Sequence, residues 1–268
     1  MRTALAALLL LAALPARAEV VMETTGWTNP KDGTQVPAYV FRDPAMARPD
    51  GTHPAVLFLH ARRGIQAADK KYIAEIAAEG FLVLAPDWLN ARFLEPWPVP
   101  HDYATEWDAA QGLAHLDTMT AARKGEKRGL FGYSRGGYYA TRIAAGALDP
   151  SHPAKVACMV AIAGHFQDPN RPEPDQVYRT MPELDQVTQP ILMVIGEDDM
   201  GARVDNNSRA FTALVERGAD VELVYLPKAR RAFDFRDYVE GSTQTPEEKA
   251  AKKYTKTRWT AFLKRCVK

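Results

Sequence analysis

The chain has 268 residues, with 34 Lys and Arg against 33 Asp and Glu, a formal charge of +1, and two cysteines. So even a balance excludes nucleic-acid binding by bulk electrostatics. Two cysteines are too few for a disulfide scaffold or a four-cysteine zinc module. The length and the 46% hydrophobic content fit one large α/β domain or two small ones with a sizeable core.

Residues 1–18 read as an export signal. Arg2 gives the positive start, Ala4 to Leu14 an apolar run, Pro15 a helix break, and Ala16-Arg17-Ala18 small residues for cleavage. The run is too short to span a bilayer, which takes about 20 residues. Cleavage after Ala18 leaves 250 residues, 19–268, as a single domain and shifts the formal charge to −1. Such a protein is periplasmic or secreted, with no membrane attachment once the signal is gone; the alternative is an uncleaved anchor. In an oxidising compartment Cys158 and Cys266 either form a disulfide or remain two isolated thiols.

Elements then follow in order. Val20–Thr25 and Val36–Phe41 predict an opening pair of strands, with turn chemistry at Pro30, Asp32 and Gly33. Ala55–His60 is a continuous apolar run, as a strand covered on both faces requires. Ala67–Ala78 has helical spacing, Phe81–Ala85 is a strand, and Thr105–Ala122 is a helix with Trp107, Leu113, Leu116 and Met119 inward. Gly129–Gly132 is a short strand before a helix from Arg135 to about Ala147. Val156–Ala163, Ile191–Ile195 and Val221–Tyr225 are strands, with a helix near Asn207–Arg217. A basic helix from about Pro246 to Val267 closes the chain, with Thr255, Trp259, Phe262 and Cys266 on one face. This alternation predicts an α/β fold with a mainly parallel sheet of about eight strands and helices on both faces. Two irregular stretches, Asn90–Tyr103 and His165–Gln189, follow strand ends. They would overhang the carboxyl edge, where open α/β sheets bind ligands.

Between a strand and a helix stands Gly132-Tyr133-Ser134-Arg135-Gly136, a G-x-S-x-G sequence. In that context a sharp turn exposes the serine hydroxyl, and the helix N-terminus favours a developing oxyanion. Ser134 is therefore the candidate nucleophile and the Arg135 amide one oxyanion donor. The second donor falls to the Ala61 or Arg62 amide, in the loop after Ala55–His60. Arg62 and Arg63 there face either an anionic substrate or solvent. The acid belongs after Ile191–Ile195, where Gly196-Glu197-Asp198-Asp199 offers Asp199, with Asp198 second. The base belongs after Val221–Tyr225.

At this point the chain resembles the dienelactone hydrolase family of the α/β-hydrolase fold, from about Val36 to the last helix. The likeness rests on Ala55–Gln66, Pro86-Asp87 with Asn90-Ala91-Arg92, the turn at Ser134, Gly196–Asp199 and Ala229–Phe233. It implies hydrolysis of a small-molecule ester or lactone. Three departures stand out. Arg231 holds the place of the family's catalytic His, and a guanidinium cannot take the serine proton. The family's type enzymes use a Cys nucleophile where Ser134 stands. They also carry a Glu where Ala61 stands, so dienelactone itself is not the expected substrate. An impaired triad, a non-hydrolase that kept the fold, and another base all fit the Arg231 departure. His60 and His165 are the fallback bases, each at a strand's carboxyl end, although an ordinary structural role fits either better. His53, His101, His115 and His152 have no positional argument. No metal or organic cofactor is implied, because the six His show no metal-binding spacing. The rivals are a catalytically inactive binding protein on this scaffold and an exported peptidase, for which 250 residues leave little room. The sequence does not fix the oligomeric state.

Overall fold

The computed structural model describes residues 19–98, 100–172 and 178–267. The export-signal expectation for residues 1–18 lies outside them. Eight strands form one sheet in the order β1-β2-β4-β3-β5-β6-β7-β8. β1 (Val21–Thr28) and β2 (Gln35–Arg42) pair antiparallel, and β2 pairs antiparallel with β4 (Leu82–Pro86). From β4 onward the pairing is parallel, through β3 (Ala55–Leu59), β5 (Arg128–Tyr133), β6 (Val156–Ile162), β7 (Ile191–Asp198) and β8 (Val221–Arg230).

The mainly parallel sheet expected from the alternation is thus present, and β3 shows why. Its five residues are all buried. Leu57 and Leu59 enter one apolar layer, while Val56 and Phe58 enter the layer on the opposite face. That is the period-2 geometry of a strand with both faces covered. The first layer is closed by Leu113, Ile143 and Leu214, from α4 (Gly112–Thr118), α5 (Arg135–Ala144) and α7 (Gly201–Glu216), with the short α6 (His152–Lys155) leading into β6. The second is closed by α1 (Ala67–Ala77) and the last helix, α8 (Pro246–Cys266), through Tyr72, Ile76, Trp259 and Phe262. Thr245 and Glu248 cap α8 reciprocally at its start. At its end Cys266 forms a disulfide with Cys158 of β6.

Several boundaries differ from the sequence reading. The helix expected over Thr105–Ala122 is two short ones, α3 (Ala104–Ala110) and α4. The break falls at Gln111, beside Gly112, where a Cβ would come 2.6 Å from Leu57 Cδ1, so the chain presses against β3 there. Trp107 does not point inward. It is half-buried, with Lys31 Nζ 3.2 Å above its ring. The helix after Ser134 ends at Ala144, and the one placed near Asn207–Arg217 starts earlier, at Gly201. β7 and β8 run on to Asp198 and Arg230, because the two strands keep pairing past the apolar residues that signalled them. Asn90–Tyr103 is less irregular than expected, since α2 (Trp88–Ala91) and the start of α3 flank it. In the second irregular stretch, Pro182–Gln186 forms a short 3-10 helix.

Candidate active site

The parallel strands end on one edge of the sheet, and a cleft of about 250 Å³ opens there. Residues following β3, β4, β5, β6, β7 and β8 all reach it: Arg62, His101, Ser134, His165, Met200 and Arg231. Such an edge gathers residues distant in sequence, because each strand delivers its following loop to one place.

Ser134 sits between β5 and α5 at φ 51° and ψ −112°, a region few side-chain-bearing residues adopt. The strain is held by close backbone contact. A Cβ on Gly136 would lie 1.8 Å from the Leu59 carbonyl oxygen, so only glycine lets α5 approach β3 this closely. The Ser134 amide donates to the Ile162 carbonyl, and the Gly137 and His165 amides donate to the Ser134 carbonyl. These bonds lock the turn onto the end of β6. Ala163 (φ 47°) and Ala232 (φ 56°) adopt positive φ at neighbouring strand ends, so three loops of the cleft carry backbone strain.

The loop after β6 brings His165 Nε2 to 3.3 Å from Ser134 Oγ. α7 fixes this loop from behind. The Phe166 amide donates to the Asn206 side chain, and the Asn207 side-chain amide donates to the Gly164 carbonyl. Both asparagines are fully buried. Burial first, then the guanidiniums of Arg203, Arg135, Arg231 and Arg62, hold the His165 imidazole well below its ordinary value. The ring is therefore neutral at pH 7.

His60 is placed differently. Its Nδ1 bonds the Ala61 carbonyl oxygen at 2.7 Å, and its ring stacks on Trp88 at 3.4 Å between centroids. Burial drives it down to about 3. It is not among the described residues that line the cleft. The structure brings His165 to Ser134 and leaves His60 in the packing beneath the loop.

Asp199 follows β7 as expected. Burial lifts its carboxyl above the ordinary value, against the Met200 amide and the charges of Arg231 and Arg203. Asp198 instead ends β7, exposed and in register with Arg230. Arg231 follows β8, and its charge acts on both Asp199 and His165. Arg231 lines the same cleft as Ser134 and His165. The Arg231 guanidinium donates to Met200 Sδ. Of the loop residues after β3, Ala61 packs into the second apolar layer while Arg62 lines the cleft. Arg63 turns away to pair with the buried carboxylate of Asp69.

Sequence reasoning passed over His101. It lines the cleft, its Nε2 lies 3.0 Å from the buried Glu106 carboxylate, and Asn170 bonds both its amide and its carbonyl. Asn206 and Asn207 were also missed, since two asparagines inside a helix look like surface residues.

The dienelactone hydrolase family model matches residues 42–267, nearly the whole described chain. The chain belongs to the dienelactone hydrolase family. This is a family of carboxylic ester hydrolases, and its α/β-hydrolase fold recurs in solved structures. A dienelactone hydrolase-like promiscuous phosphotriesterase from metagenomic libraries is 16% identical, with a TM-score of 0.67 over 91% of this chain and 99% of that one. Brefeldin A esterase, a bacterial homologue of human hormone-sensitive lipase, is 16% identical, with a TM-score of 0.68 over 94% and 79%. A fungal esterase from Rhizomucor miehei is also 16% identical, with a TM-score of 0.70 over 93% and 84%. At these identities the likeness is one of fold. The comparison with curated proteins found no match. Among the described residues, no group of His, Cys, Asp and Glu is arranged to hold a metal ion.

Proposed function

We propose that this chain is an exported serine hydrolase of small carboxylic esters or lactones, in which Ser134 is the nucleophile and His165 the base. The observation that carries the reading is the 3.3 Å approach of His165 Nε2 to the hydroxyl of a strained serine at a strand-to-helix turn. Ser134 Oγ attacks the substrate carbonyl and passes its proton to His165. The Arg135 amide, at the first turn of α5, holds the oxyanion with the Arg62 or Ala61 amide. His165 returns the proton to the leaving alcohol, and water then releases the acyl group by the same steps.

The site is impaired relative to a complete triad. Arg231 cannot relay a proton, and Asp199 has no imidazole to orient there. His165 does accept a proton, but the imidazolium it becomes is opposed by burial and four guanidiniums. A slow enzyme is the expected result. The cationic side chain at the base position also favours a second reading, a binding protein that no longer turns over. Export is supported by the apolar run near the N-terminus and by the Cys158–Cys266 disulfide, which suits an oxidising compartment.

A fluorophosphonate probe tests the reading directly. Covalent labelling of Ser134, lost in Ser134→Ala, together with measurable hydrolysis in an ester and lactone panel, supports the hydrolase. No labelling and no turnover would support the binding protein. Intact mass after expression with the leader should show a chain starting at Glu19. A chain that retains residues 1–18 would contradict export.

A further inference from the structure

One wall of the cleft takes no part in the proton transfers proposed above. It is the loop after β4, which contributes Trp97, Pro98, Pro100 and His101. The loop is held firmly. Trp97 has a φ of 66°, which is costly for a residue with a side chain. Its amide donates to the Arg62 carbonyl at 3.0 Å, and the Arg62 guanidinium lies 5.4 Å from its ring centre. Asn170 clasps the His101 backbone at both amide and carbonyl, each at 2.7 Å, and the Tyr103 hydroxyl donates to Asp168 at 2.9 Å. The wall is thereby fastened to the loops after β3 and β6. Despite these ties the Trp97 indole stays 51% exposed at the cleft. An aromatic face so presented gains by stacking on a second ring.

His101 puts one polar atom into this wall. Its Nε2 lies 3.0 Å from Glu106, a buried carboxylate that also pairs with Arg142. An ionised carboxylate only accepts, so Nε2 carries the proton and donates. The bond made by one ring nitrogen sets the role of the other, and in the uncharged ring the lone pair then sits on Nδ1. Nδ1 has no hydrogen-bond partner among the described residues and is not closed off by them, so on a residue that lines the cleft it is open to a ligand. Tyr103, Tyr138 and Tyr139 meet the imidazole at steep angles and fix its plane. An acceptor set in an aromatic wall matches a ligand that carries a hydroxyl on a flat ring.

We propose that the loop after β4 is a specificity site, where Trp97 stacks on an aromatic ring of the substrate and His101 Nδ1 accepts a hydrogen bond from a hydroxyl on that ring. The substrate is then a neutral ester or lactone that bears a phenol. This rests on the hydrolase reading above and adds to it the chemical class of the substrate. Trp97 supplies flat apolar area. His101 supplies discrimination, because an analogue without the hydroxyl leaves the acceptor unpaired. A cleft of about 250 Å³ suits a ligand with one ring.

The test uses two pairs of esters in which an ethylene spacer keeps the ring hydroxyl from altering the carbonyl's reactivity. Methyl 3-(4-hydroxyphenyl)propanoate and methyl 3-phenylpropanoate carry the ring on the acyl side. 2-(4-Hydroxyphenyl)ethyl acetate and 2-phenylethyl acetate carry it on the alcohol side. In one pair the wild-type protein should show a kcat/KM about fivefold or more higher for the hydroxylated member, the effect of one hydrogen bond. The pair that shows it tells which side of the ester meets the loop. His101→Phe, which keeps a ring among the three tyrosines, should bring that ratio close to unity. Trp97→Ala should lower kcat/KM for the aromatic ester relative to methyl hexanoate by about fivefold, and Trp97→Phe should recover most of it. A ratio near unity in both pairs, or one that survives His101→Phe, would overturn the proposal, while turnover itself would still uphold the hydrolase. If no ester is turned over, the hydrolase reading fails and calorimetry with the same esters tests the site alone. Binding about fivefold tighter for a hydroxylated member, lost in His101→Phe, supports it. Equal affinity within both pairs, or no binding, would overturn it.

Discussion

His165 Nε2 stands 3.3 Å from Ser134 Oγ, on the loop after β6, whereas Arg231 follows β8. The two residues are joined by backbone as well, since the His165 amide donates to the Ser134 carbonyl. The proposed nucleophile and its proposed proton acceptor are thus parts of one corner of the sheet edge. From this corner, from Arg231 and from the buried groups around them, four outcomes can be expected.

Arg231→His should restore a base between Asp199 and Ser134. Hydrolysis of a neutral ester should rise at least tenfold, because general-base catalysis typically contributes about 10²–10⁴-fold. Its kcat/KM should also acquire an acid limb near the ordinary imidazole range, about 6.5. The wild-type profile, resting on a depressed His165, should stay flat to lower pH. Steady-state kinetics from pH 4 to 9 on both proteins checks this. An unchanged rate in the variant would mean that position 231 does not communicate with Ser134.

The disulfide should contribute strongly to stability. It joins β6 to the terminal helix across a sequence separation of 108. Closing a loop of that length restricts the unfolded chain by about 4–5 kcal/mol in the entropy model, with native bridges typically giving about 2–5. Urea unfolding of a Cys158→Ala/Cys266→Ala double variant, beside the oxidised protein, should show a loss in that range. A loss below about 1 kcal/mol would argue that α8 is held by its apolar face alone.

His60 gives the protein an acid-sensitive stability. Burial holds its folded value near 3, against about 6.5 in the unfolded chain. Between these values the unfolded state binds the extra proton, so stability falls as pH drops from about 6.5 towards 3. His60→Phe should keep the stacking on Trp88 while removing this proton. The slope of unfolding free energy against pH in that window should flatten by up to about 1.4 kcal/mol per unit. An unchanged slope would mean that His60 is protonated in the folded protein.

The fold was legible because its signals are local. Continuous apolar runs such as Ala55–Leu59 and Leu82–Pro86 announce buried strands, and the sequence around Ser134 announces the sharp turn. The α3–α4 break at Gln111 was hidden, because no proline marks it and the close approach of Gly112 to Leu57 beside it joins residues far apart in sequence. Trp107 looked like core by periodicity, but Lys31 draws its ring to the surface. The positions of Ser134, Asp199 and Arg231 after β5, β7 and β8 were readable. Which of His60 and His165 comes near Ser134 was not. Both follow strands, and only the packing of one on Trp88 and the hydrogen-bonded loop of the other separate them. His101 was invisible for a similar reason. Its place in the cleft depends on Asn170, which lies 69 positions away.

The most direct test of the account is the rate of neutral-ester hydrolysis by His165→Gln beside wild-type protein, with fluorophosphonate labelling of Ser134 measured on both. If His165 is the base, kcat should fall by at least about 10²-fold, and labelling should slow in proportion while the melting temperature stays within a few degrees. If His165→Gln turns over and labels at the wild-type rate, the proton goes elsewhere and the central claim is wrong.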